Sequence, residues 1–94
     1  MPQILVRHKV NNYAAWKDVF DKFVDTRRAS GEKSFHIMSP ADDPNDLTLL
    51  FDWDTAENAK AFMESPELKN AMQKGGVAEE PQIQFLDKIA SGTL

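Results

Sequence analysis

The stretch LTLLFDWDTAENAKAFMESPELKNAMQKGGV, residues 47–77, decides the fold. Side chains alternate along a strand, so Leu47, Leu49, Phe51 and Trp53 share one face, and Thr48, Leu50, Asp52 and Asp54 the other. A helix start follows at once. Asp54 with Glu57 makes a capping-box pattern, and Thr55 is the competing cap. Ala56, Ala59, Phe62 and Met63 form a helical apolar stripe. Ser65 offers a second N-cap, and Pro66 suits the first helical position, where a missing N–H costs nothing. Leu68, Ala71 and Met72 give this second helix a narrow apolar face. Gly75 and Gly76 are expected to end it in the left-handed conformation. The stretch holds no nucleophile–base pair, metal-ligand spacing or phosphate loop. It offers one wall and one lid of a pocket.

Working outward, Gln3 to Val10 reads as a strand with Ile4, Val6, His8 and Val10 on one face and Leu5, Arg7 and Lys9 on the other. Asn11 and Asn12 suit a turn and a helix cap. Tyr13, Trp16, Phe20, Phe23, Val24 and Arg27 recur at helical steps, which predicts one helix over Tyr13–Arg28, stopped by Gly31. Arg27 and Arg28 suit the negative end of its dipole. Lys33 to Ser39 reads as a second strand, PADDPND (residues 40–46) as a turn, and Ile83 to Ile89 as a fourth strand. The order β-α-β-β-α-β predicts an α+β, ferredoxin-like antiparallel sheet in the order 4-1-3-2, with helices on one face, in a single domain spanning residues 1–94.

Composition narrows the function classes. A net charge of −4 without a basic stripe argues against nucleic acid. The absence of cysteine removes thiol chemistry and disulfides. No apolar run approaches the roughly 20 residues of a membrane helix, and MPQILVRHKV reads as a strand rather than a signal peptide. A cytoplasmic location is the expectation. Leu5, Met38, Leu50 and Leu86 fall on the sheet face away from the helices. An apolar face of that kind is most simply covered by a second copy, so a homodimer is expected.

LVRHKVNNYAAWKDVFD (residues 5–21) and ADDPNDLTLLFDWDTAENAKAFMESPELKNAMQKGGV (residues 41–77) together resemble the antibiotic-biosynthesis-monooxygenase-like branch of the dimeric α/β-barrel superfamily. The likeness spans Leu5 to Ile89 and is most specific at Trp53, Phe62 and Ser65-Pro66 before Leu68. It implies two sheets packed face to face in a homodimer, with a ligand pocket in each subunit between sheet and helices. It does not imply one reaction, since the branch includes cofactor-free oxygenases, heme degraders, isomerases and dismutating enzymes. Heme-degrading relatives place a tryptophan where this chain has Trp53. Their iron-ligating histidine position is Met72 here, and their strand-end asparagine position carries Arg7 and His8. That pattern points away from heme, and no cofactor is expected.

His8 is the candidate catalytic residue, as a neutral imidazole accepting a proton from a phenol or enol. The competing reading is a core histidine hydrogen-bonded to a neighbour. Tyr13, Trp16, Phe51, Trp53, Phe62 and Met72 are the candidate ligand-binding residues, and each is equally a core residue by type. Tyr13, Trp16, Arg27 and Trp53 are of the types that stabilise an oxyanion in cofactor-free oxygenases. His36 points away from His8, so no metal site is expected. Arg7 and Asp52 read as a cross-strand or intersubunit ion pair. The expected function is binding of a planar organic molecule, with catalysis as a cofactor-independent monooxygenase or cyclase/isomerase on an aromatic or polyketide-like compound. The alternative is a non-catalytic ligand-binding or accessory dimerisation module.

Overall fold

The strand expected over Leu47–Trp53 forms as β3 (Asp46–Trp53), and burial alternates residue by residue along it. A computed structural model describes all of residues 1–94. Around β3 stand β1 (Pro2–Lys9), α1 (Tyr13–Lys22), α2 (Val24–Ser30), β2 (Glu32–Met38), α3 (Ala56–Met63), α4 (Pro66–Lys74) and β4 (Gln82–Asp87). The strands pair antiparallel in the order β2-β3-β1-β4, which is the expected 4-1-3-2 counted from the other edge. This is the ferredoxin-like sheet. No helix is long and apolar enough to cross a membrane.

The register places Ile4 beside Phe51, Val6 beside Leu49 and His8 beside Leu47. Those side chains share the helix-covered face and, with Trp16, Phe20, Trp53, Ala59 and Phe62, make up most of the buried core. Helix starts follow the local chemistry. The Asn12 side chain accepts from Ala15 N at 3.0 Å, and Ser65 Oγ accepts from Leu68 N at 3.3 Å. Gly31 ends α2 at φ +119°, and a Cβ there would collide with the Asp54 carboxylate and the Trp53 indole.

The structure corrects the local reading in several places. The helix expected over Tyr13–Arg28 breaks at Phe23, which turns its ring toward Phe62 at 5.9 Å. Thr55, not Asp54, is the cap of α3. Its hydroxyl accepts from Asn58 N at 3.0 Å, while the Asp54 carboxylate is taken by Thr55 N and the Asn58 amide. Only Gly76 adopts a positive φ after α4, and Gly75 stays right-handed. Arg27, on the apolar stripe as its spacing predicts, is buried. Arg7 and Asp52 do not pair within the subunit. Arg7 stands opposite Thr48, with Asp46 at 3.6 Å, while Asp52 accepts from Gln3 and Ser34. The fourth strand ends at Asp87, leaving Ile89 exposed.

Candidate functional site

Two residues one helical turn apart, Trp16 and Phe20, set the inner face of α1. Their rings stack at 4.9 Å. His8, brought in by β1, meets Trp16 edge-on at 5.8 Å. Arg27, brought in by α2, lays its guanidinium on Phe20 with Cζ 3.7 Å from the ring centroid. A run of His8, Trp16, Phe20 and Arg27 therefore lies between helices and sheet.

Beside this run is a cavity of about 70 Å³. A space of roughly 10–15 Å³ on this measure holds one water, so several non-hydrogen atoms fit. Of the expected site residues, His8, Trp16, Phe51, Phe62 and Met72 line it together. Tyr13 and Trp53 do not. Tyr13 sits 6.0 Å from Trp16, in a separate shallow concavity with Ile37 and Leu47. Trp53 is fully buried, packs on Phe62 at 5.1 Å and donates its indole N–H to Ser30 O at 3.0 Å. It backs the wall instead of forming it. Half-buried Met72 and Pro81 and exposed Ile83 mark the mouth, between α4 and the start of β4.

The wall is apolar except at His8 and Arg27. Neither ring nitrogen of His8 has a hydrogen-bond partner in the protein, which the core-histidine reading would require. Burial holds its pKa below the ordinary value, so the ring is neutral at pH 7. Arg27 is paired with Glu32 through Nη1, and its Nη2 donates to Phe20 O at 3.2 Å. Its Nε and Glu32 Oε1 are buried without partners. Desolvation dominates both members of the pair. It lowers the Arg27 pKa and pushes Glu32 up to about 7, against their mutual attraction. In chemical terms the cavity wall carries a neutral imidazole at His8 and a guanidinium at Arg27 among apolar side chains, with both His8 nitrogens and Arg27 Nε buried and unpartnered.

Glu32 is the residue that sequence reasoning missed. The available signal was Arg27 itself. A cation on the apolar stripe with Trp16, Phe20 and Phe23 has to bring a buried partner, and Glu32 is the acid that directly follows the helix-stopping Gly31.

The sequence profile of the antibiotic biosynthesis monooxygenases matches residues 3–74, more than half of the chain, and the chain belongs to that family. No curated protein matches it significantly. Among solved structures it is similar to a protein from Bordetella bronchiseptica (21% identity, 95% of this chain and 97% of that one, TM-score 0.77). A protein from Nitrosomonas europaea gives 21% identity over 96% and 100%, with a TM-score of 0.71. For both, the designation as antibiotic biosynthesis monooxygenases is itself inferred. SnoaB, a cofactor-independent oxygenase from Streptomyces nogalater, matches at 13% identity over 99% of this chain and 95% of its own, with a TM-score of 0.75. At such identities the likeness establishes the fold.

Proposed function

We propose that the chain binds a planar aromatic or polyketide-like molecule in the helix–sheet cavity and acts on it as a cofactor-independent monooxygenase or cyclase/isomerase. The observation that carries this reading is His8, a buried imidazole with two unpartnered nitrogens on the wall of an aromatic cavity. Kept neutral by burial, it accepts the proton of a phenol or enol. The resulting anion is electron-rich enough to reduce dioxygen directly, or to close or shift a bond. Trp16, Phe51 and Phe62 are the walls and Met72 the lid, while Trp53 and Tyr13 hold Phe62 and Trp16 from behind. Membership of the family and the fold shared with SnoaB support the reaction class. A cytoplasmic homodimer, paired through the sheet face of Leu5, Leu50 and Leu86, belongs to the same reading.

A second reading rests on the cavity's size. About 70 Å³ is well below the roughly 300–1,000 Å³ of most ligand pockets, which favours a non-catalytic accessory dimerisation module whose pocket is largely filled by its own side chains. A screen of quinols, flavonoids and polyketide-like aromatics, followed by tryptophan fluorescence, thermal shift and oxygen uptake, separates the two. The enzyme reading expects turnover that falls about 100-fold or more in His8→Phe while binding persists. Binding without turnover leaves a non-catalytic ligand-binding module. No binding by any of these compounds removes the cavity as a ligand site and leaves the accessory module.

A further inference from the structure

We infer that Arg27 and Glu32 form a proton-linked site for an organic carboxylate: the ligand's acid group takes the place of Glu32 as the counter-ion of Arg27, and Glu32 takes up a proton. This rests on the cavity being a ligand site, as proposed above, and adds the chemical class that it selects.

The placement of the pair carries the inference. Arg27 lies on the cavity wall and is the one charged residue there. Glu32 is not on that wall. It lines a separate shallow concavity, with Arg28, Lys33 and Ser34. Arg27 thus borders the cavity while its Nη1 is held by Glu32, and its guanidinium lies over the Phe20 and Phe35 rings. It is almost fully buried, it is anchored by Phe20 O and the Phe20 ring, and it keeps an unpartnered Nε. A fixed, dehydrated guanidinium beside an apolar space favours an acid oxygen over any apolar group.

The proton follows from charge balance. One buried cation supports one anion beside it. Two carboxylates sharing one guanidinium repel, and the pair keeps a proton on one of them. Glu32 is the member placed to accept it, because its Oε1 is buried without a donor and its pKa already stands at about 7. The other charges around the pair do not replace this coupling. Asp21 of α1 strengthens the charge on Arg27, and Arg28 of α2 weakens it. Lys33 lies on the outer side of Glu32, and Asp54 sits at the neighbouring Gly31. From β1 the only titratable group on the cavity wall is His8, and α3 and α4 present apolar side chains.

The test is titration calorimetry of the whole chain with benzoate and its neutral twin benzamide, between pH 6 and pH 9, in buffers of different ionisation heat. A quinol is run alongside as a probe of the cavity. Benzoate is expected to take up about one proton per molecule bound at pH 8. Its affinity should fall about tenfold per pH unit above 7, while benzamide stays flat. Glu32→Gln should bind benzoate without proton uptake and without pH dependence. Arg27→Met should lose the preference for benzoate over benzamide and still bind the quinol. Should either variant fail to fold, proton uptake by the unaltered protein decides alone. Equal affinity for benzoate and benzamide, or no proton uptake, with the quinol still bound, overturns the acid site and leaves the cavity standing. Failure of all three compounds to bind overturns both.

Discussion

β3 and β4 belong to one sheet and are both rich in large apolar residues, yet β3 buries every second residue and β4 buries none. Ile83 and Phe85 pair with Val6 and Ile4, whose side chains are core, but remain 36% and 50% exposed. The difference lies in the layer above. The helices sit over β1 and β3 and stop short of β4. Burial in a sheet is conferred by what covers it, not by the strand's own pattern. The uncovered margin has a consequence for chemistry, because the cavity opens there, past Pro81 and Ile83.

The strongest way to break this comparison is to cut one large side chain from each region. Trp53→Ala should cost about 3–5 kcal/mol, since it empties a fully enclosed site and removes the indole hydrogen bond to Ser30. Phe85→Ala should cost less than about 1 kcal/mol, in line with surface substitutions. Urea denaturation measures both. A Phe85→Ala loss as large as that of Trp53→Ala would mean that something covers β4 after all.

Next in size is the buried pair. Arg27→Leu or Glu32→Leu alone should destabilise by about 3 kcal/mol, because each leaves a buried charge without its counter-ion. The double variant should recover most of that loss. A double-mutant cycle gives the coupling. Additive losses would mean that the two groups do not depend on each other.

The sheet's other face sharpens the same lesson. Leu5 and Leu50 are opposed there and half-buried, with Met38 and Leu86 exposed nearby. If a second copy covers this face, Leu50→Glu puts a carboxylate into an apolar seam and should yield monomers or insoluble protein. Size-exclusion chromatography with light scattering reads the outcome. An unaltered protein that runs near 10.6 kDa at tens of micromolar would remove the dimer.

What could be read from the chain follows the same divide. Period-two alternation in β3, the caps at Asn12 and Ser65, and the stop at Gly31 are local signals, and each describes the structure. The inward direction of His8 follows from strand parity. Depth within the layer does not. Trp53 and Phe51 share one strand face, but only Phe51 reaches the cavity, because the Trp53 N–H is held by Ser30 O under the end of α2. The break at Phe23 and the pairing of Arg27 with Glu32 also depend on how α2 docks, which no spacing encodes.

The smallest expected effect sets the two titratable groups of the site against each other. Glu32 has its folded pKa raised from 4.5 to about 7, so between those values the folded state holds a proton that the unfolded state has released. Its contribution to stability is full below 4.5 and is lost as pH rises toward 7. His8 has its folded pKa lowered from 6.5 by burial, so the unfolded state binds the extra proton. Its contribution is present above 6.5 and is lost as pH falls below that value. The slopes oppose in the range just below pH 6.5, so the two groups partly offset each other there in the unaltered protein. Asp52, whose pKa is lowered by Ser34 and Gln3, acts below that range. Each variant then exposes the remaining slope. His8→Phe should become less stable as pH rises from 5 to 7, and Glu32→Gln should become more stable over the same interval. Thermal unfolding across that range measures both, and parallel profiles for the two variants would show that neither group sets the pH dependence of the fold.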